Sequence, residues 1–144
     1  MRAGAVVIVL NRTLSRAERL CSDIAGLAGG AIQALPLNEG NLKKALGKSA
    51  LLVNASSLGM HPQSSESPAP KRLLRRDLAV FDIIYNPLPT RLAREAEEIG
   101  AKVATGLEML VRQGALSFEI WTGQKAPLAT MRQAALEALK QNES

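Results

Sequence analysis

Short, continuous apolar runs separated by helix-length amphipathic stretches constrain this chain most. Ala5–Leu10 (AVVIVL), Ala50–Ala55 (ALLVNA) and Leu78–Tyr85 (LAVFDIIY) are strand-length and rich in β-branched residues. Runs of this kind suit parallel strands buried on both faces. Two shorter candidates, Ala31–Leu35 and Ala101–Thr105, complete the set. Between them, Ala17, Leu20, Cys21, Ile24 and Leu27 recur at helical spacing, with Gly29 and Gly30 as the stop. The start of that helix has two candidates: a capping box from Ser15 and Glu18, or Thr13 as the N-cap. A short helix is expected over Asn38–Leu46, a short basic one near Lys71–Arg76, and one capped by Thr90 that runs through Ile99 to Gly100. Leu107, Leu110, Val111, Gly114, Phe118 and Trp121 line one face of a helix over 106–121. Leu128, Met131, Ala135 and Leu139 line a closing helix over 127–140. Strands alternating with helices predict an α/β fold with a doubly wound parallel sheet in one domain, with no internal repeat.

Composition narrows the function classes. The 144 residues are 47% hydrophobic, 22% charged and only 3% aromatic, with a net charge of +5. Scarce aromatics argue against a stacking platform for single-stranded nucleic acid, and the basic excess is too small and too dispersed for a nucleic-acid face. The densest cluster, KRLLRR at Lys71–Arg76, reads as a solvated helix face. The single cysteine, Cys21, rules out an internal disulfide framework and fits a reducing cytoplasm; its place on an apolar stripe makes it a small core residue. There is no apolar run of membrane-spanning length. The lone His61 has too few co-ligands for a metal site and reads as a loop residue.

Ligands of open α/β sheets bind outside the carboxyl ends of the strands. Those ends are Asn11-Arg12-Thr13, Asn54-Ala55-Ser56-Ser57, Asp82 to Asn86, and Thr105-Gly106, polar or small where the strands are apolar. In NAD-binding domains the second strand commonly ends in Asp or Glu, which accepts from the ribose hydroxyl and would repel a 2′-phosphate. Here neutral Asn11 is followed by Arg12, Thr13 and Arg16 at a helix N-terminus. Two guanidinium groups and a hydroxyl suit a phosphomonoester, hence NADP rather than NAD; a capped surface helix with incidental arginines is the competing reading. VNASSLGM is a small-residue turn that lets backbone approach a cofactor closely, or an ordinary loop. Tyr85 is either a donor to substrate or a packing residue, and Asp82 reads as a strand residue bonded to nearby backbone. Gly106 offers bare backbone to a cofactor ring. Met109 and Gln113 share a helix flank four residues apart, and Gln113 both donates and accepts, which suits a polyhydroxy substrate.

Together these segments resemble the C-terminal, NADP-binding domain of the shikimate dehydrogenase family, in order and over essentially the whole chain. NRTLSRAERL is similar to that family's NADP-discriminating turn. VNASSLGM resembles its Asn-Ala-Thr-x-x-Gly-Met segment with Ser56 in the Thr position, and DIIYNPLPT its Asp-x-x-Tyr-x-Pro-x-x-Thr run. GLEMLVRQGALSFEIWTG has the most specific spacing. A related NADP domain such as glutamyl-tRNA reductase shares an Asn-Arg-Thr turn, but the segment from Gln113 to Gly123 disfavours it. The resemblance implies reversible, NADP-dependent reduction of 3-dehydroshikimate to shikimate in aromatic amino-acid biosynthesis. It implies that Asn11, Arg12, Thr13 and Arg16 hold the 2′-phosphate end. Ser56, Ile83, Gly106 and Met109 would lie near the cofactor, with Ile83, Gly106 and Met109 on the nicotinamide side, while Tyr85 and Gln113 reach the substrate.

The departures limit that implication. The family's glycine-rich pyrophosphate loop, first strand and first helix have no counterpart in the sequence, and neither has the substrate domain that supplies the catalytic Lys and Asp. The sequence is therefore expected to be a partial NADP-binding domain, inactive alone, with Met1–Ala5 as the tail of a helix. In a sheet of order 3-2-1-4-5-6 the first strand is central. Its absence is expected either to separate the strands that flank it or to force them to pair, exposing edges through which the chain associates.

Overall fold

The computed structural model describes residues 4–28 and 31–141. Among the described residues five strands and five α-helices follow in the order β1 (Val7–Asn11), α1 (Leu14–Ala28), β2 (Ile32–Pro36), α2 (Glu39–Leu46), β3 (Leu51–Asn54), β4 (Ala79–Asp82), α3 (Arg91–Glu98), β5 (Val103–Thr105), α4 (Gly106–Thr122) and α5 (Leu128–Gln141). All strand pairs are parallel, and the class is α/β. The single sheet expected from the sequence is instead two. β1 pairs with β2, and β3–β4–β5 form a three-stranded sheet. The chain divides into two compact units, 1–49 and 50–144. Among the described residues no ladder pairs β1 with β3.

In the first unit, α1 begins at Leu14, which places Thr13 at the N-cap position and Ser15 inside the helix. Ala17 is buried and Cys21 and Ile24 are half-buried, but Leu20 is exposed. The proposed stop at Gly29 and Gly30 lies outside the described residues, as do residues 1–3 of the expected helix tail. Asn38 caps α2 by accepting from the Asn41 amide at 2.9 Å. The expectation that β1 is buried on both faces fails: the strand is half-buried throughout, and Val6 before it is 73% exposed. Among the described residues β1 pairs with β2 alone.

In the second unit, the core gathers on one face of the sheet. Val80 and Asp82 of β4 and Asn54 of β3 share that face by the two-residue period, and α3 covers it with Leu92, Ala93 and Ala96. Leu78 and Leu92 are fully buried, each stabilising by about 2 kcal/mol relative to exposure. The other face is not covered in the same way. Leu51 and Val53, expected to be buried, are 53% and 47% exposed. The 78–85 run also yields a shorter strand than expected, ending at Asp82. The basic helix is only a 3-10 turn, Lys71–Leu73. Thr90 caps α3 as expected, accepting from the Ala93 amide at 3.1 Å, and Gly100 follows with a positive φ of 79°.

Leu107, Val111 and Ala115 form the buried stripe of α4, whereas Trp121, expected on it, is 82% exposed. On α5, Met131, Ala135 and Leu139 are half-buried as expected and Leu128 is exposed. The two helices meet where Gly114 leaves room for Met131, whose terminal methyl would lie 3.3 Å from an added Cβ. Glu108 and Arg132 are in contact at 2.6 Å across the same pair, as charges rather than as an aligned hydrogen bond.

Gly106 is required by packing. A Cβ there would lie 1.9 Å from the Ile83 carbonyl oxygen. Gly106→Ala is therefore expected to destabilise the chain by about 3 kcal/mol, read as a lower urea midpoint. At the surface, Lys71 and Glu98 pair at 2.6 Å. The hydrogen bond from Lys71, and then its charge, hold the Glu98 carboxyl below its ordinary 4.5. With the folded value lowered, the pair's small contribution is present above the ordinary value and lost as pH falls through the folded one. An NMR titration should show Glu98 ionising below 4.5 and returning toward it in Lys71→Ala.

Candidate functional site

The sequence-derived candidates fall into two groups, one in each compact unit. In the first unit, β1 delivers Asn11 to the start of α1. Its side-chain oxygen accepts from the Thr13 amide at 2.9 Å, an Asx turn that bends the strand into the helix. The Asn11 carbonyl accepts from Leu37 at 3.0 Å, tying the turn to the end of β2. Arg12, Thr13 and Arg16 are exposed around this turn, and among the described residues neither arginine forms an ion pair. Two cations and a helix N-terminus thus stand together with no carboxylate neutralising them, a donor set that fits a phosphate.

In the second unit, the ends of β3 and β4 are cross-linked by a side-chain network that the sequence did not reveal. Asp82 is completely buried, and its role exceeds a bond to nearby backbone. Its Oδ1 accepts from Asn54 Nδ2 at 3.0 Å and from the Ile84 amide at 3.2 Å, and its Oδ2 from Thr90 Oγ1 at 2.6 Å. Asn54 in turn uses all four of its side-chain hydrogen-bonding positions. Nδ2 also donates to the Leu58 carbonyl at 3.1 Å, while Oδ1 accepts from the Ser56 amide at 3.1 Å and from Ser56 Oγ at 2.7 Å. The only proton of the Ser56 hydroxyl is therefore committed inside the turn, and its oxygen also accepts from the Leu58 amide at 3.3 Å. Gly59 follows with φ +99°, packed beside Ile84 and Thr90, a backbone conformation that favours glycine. The signal that could have exposed this network is the charged residue inside an otherwise apolar strand run.

Ile83 is half-buried. Its carbonyl is the group against which Gly106 packs, and the Gly106 amide donates to the Ile84 carbonyl at 3.3 Å. The bare backbone read as space for a cofactor is thus filled at least in part by Ile83. Tyr85 is 42% exposed, which disfavours the packing alternative. Met109 and Gln113 do share a flank of α4: with Phe81 and Leu116 they line an open groove of roughly 440 Å³ flanked by Glu108 and Arg112. Among the described residues no cluster of metal-ligating side chains occurs, and no helix is long and apolar enough to cross a membrane.

Comparison with known proteins adds independent findings. Residues 106–136 match the family model of the shikimate 5′-dehydrogenase C-terminal domain. A shikimate dehydrogenase (NADP(+)) of Dehalococcoides mccartyi is 48% identical over 140 residues, 97% of this chain and 49% of that protein. Among solved structures, the shikimate 5-dehydrogenase of Thermus thermophilus in complex with NADP(H) and shikimate superimposes with a TM-score of 0.77 at 42% identity, over 95% of this chain and 48% of that one. The enzyme of Listeria monocytogenes in complex with shikimate and NAD gives a TM-score of 0.81 at 30% identity, over 90% and 47%. The chain spans about half the length of the curated relatives it matches. Its fold is the Rossmann-like one of these enzymes, and over nearly its whole length the chain is similar to about half of a shikimate dehydrogenase, with residues 106–136 matching that family's C-terminal domain.

Proposed function

We propose that the chain is the cofactor-binding half of an NADP-dependent shikimate dehydrogenase, an oxidoreductase that interconverts 3-dehydroshikimate and shikimate in the cytoplasm. The observation that carries the cofactor choice is the Asn11 turn, where Arg12, Thr13 and Arg16 stand together and no acidic residue ends the strand. Fold alone does not choose, since a relative of the same architecture is complexed with NAD. The donor set supports NADP: the two guanidinium groups neutralise a 2′-phosphate, and the helix N-terminus adds its partial positive charge.

When bound, the cofactor supplies the hydride. The chain's own residues bind and orient. Asn11 shapes the turn, and the arginines hold the phosphate end. Ile83, Gly106 and Met109 form the wall on the nicotinamide side, the Ser56 turn lies near the cofactor, and Tyr85 and Gln113 bring polar groups to the substrate. Proton transfer is assigned to a Lys and an Asp of the family's substrate domain, and the part proposed for these 144 residues is to bind and orient, without turnover by themselves. The alternative is a relative that acts on quinate, a class represented among the similar structures by an enzyme complexed with NAD.

Titration with NADPH and NADH tests the reading. Wild type is expected to prefer NADPH, and Arg12→Ala to weaken NADPH by roughly ten- to hundredfold, the worth of one lost charged contact, while leaving NADH nearly unchanged. Equal NADPH affinity in wild type and Arg12→Ala removes the role of Arg12. NADPH-dependent turnover of 3-dehydroshikimate by these 144 residues alone overturns the assignment of proton transfer to the substrate domain.

A further inference from the structure

We propose that Asp82 is the positioning residue of the second unit, fixing the Ser56 turn and the Ile83–Tyr85 segment as one rigid wall. The inference deepens the cofactor-site reading and rests on it for its functional meaning.

The geometry supplies the argument. A carboxylate taken wholly out of water needs hydrogen bonds to replace its hydration, and Asp82 has three, each from a different segment. One comes from its own chain two residues on, at Ile84. One comes from Asn54 at the end of β3, and one from Thr90 at the start of α3. An acceptor-only group facing three donors fixes the orientation of each. Asn54 can point only its amide nitrogen toward Asp82, so its oxygen must point away, toward Ser56. The Ser56 hydroxyl and amide both follow that oxygen. Asp82 thus sets Ser56 through Asn54 without touching it.

The reach extends to α4. The Ile84 amide is held by Asp82, and the 83–84 backbone is the surface on which Gly106 docks. Displacement of that backbone moves the first turn of α4, and with it Met109 and Gln113. Ser56, Ile83, Gly106, Met109 and Gln113, widely separated in sequence, therefore share one buried anchor. An isosteric amide at position 82 removes the charge from all three bonds, and with its oxygen on Asn54 and Ile84 its NH₂ faces Thr90, whose hydroxyl must then turn from donor to acceptor.

Amide hydrogen exchange on the 144-residue chain tests the claim. In Asp82→Asn, the Ser56 and Ile84 amides are expected to exchange about tenfold faster or more, the worth of one charge-assisted bond, while the β1 amides of the first unit stay unchanged. Equal acceleration throughout the chain, or none at Ser56, overturns the proposal. Should Asp82→Asn fail to fold, Thr90 supplies the second arm. Thr90→Ser keeps the hydroxyl and should match wild type, whereas Thr90→Val should accelerate exchange at Ser56. If Thr90 served only as the α3 cap, Thr90→Val would move Ala93 and leave Ser56 alone, and that result also overturns the proposal. The Asn54 side-chain amide protons of wild type should exchange slowly; exchange at the rate of a free amide counts against the network.

NADPH titration separates this claim from the reading beneath it. Binding by wild type that weakens about tenfold in Asp82→Asn, with folding retained, supports both. Binding equal in the two proteins overturns the positioning role. No binding by wild type removes the cofactor reading, and the exchange arms then decide the anchor by themselves.

Discussion

The carboxylate of Asp82 has no contact with water, and the functional end of the second unit is arranged around it. Apolar packing against α3 brings β3 and β4 into register, but packing is non-directional and does not aim side chains. The directional part comes from hydrogen bonds that a buried anion must have. Three donors satisfy it, and each donor belongs to a segment that carries, or leads directly into, a candidate site residue. Stability and site geometry are therefore the same interaction at this point.

The first unit solves its local problem differently. Its turn is exposed, and the Asn11 side chain closes it with a bond across two residues. The arginines beyond it are held by nothing in the described chain and remain available to a ligand. One group of candidates is thus rigid and internally satisfied, the other open and cationic. That contrast matches the tasks assigned to them: close contact with a flat ring needs a fixed wall, while a charged phosphate tolerates flexible cations.

Much of this was legible in the residues. Every helix and strand lies where the alternation of apolar runs and amphipathic stretches puts it, because the local patterns agree with the tertiary cover for α2, α3 and β4. Thr90 and Asn38 were readable as caps or helix starts from their side chains alone. What failed was burial. The apolar character of Leu51, Val53, Val6 and Trp121 predicts cover, but cover depends on partners that periodicity does not reveal. The division of one sheet into two was foreseen only as one of two outcomes, since strand order is not a local property. The Asn54–Asp82–Thr90 network escaped because its members lie up to 36 positions apart and only the folded register brings them together. The Ser56 hydroxyl is an internal strut of the turn read as lying near the cofactor. Gly106, read as room for a ligand, is first of all room for Ile83.

The Asn11 turn has one more implication. Its closing bond uses only a side-chain oxygen that accepts from the Thr13 amide. An aspartate offers the same oxygen at the same distance, so the backbone is indifferent to which of the two residues stands there. Charge at this strand end can change sign without any change of shape. A lineage could therefore drift between partners with and without an extra phosphate by altering one functional group, at almost no structural risk. The architecture separates the question of how the chain bends from the question of what it attracts, and leaves the second free to evolve.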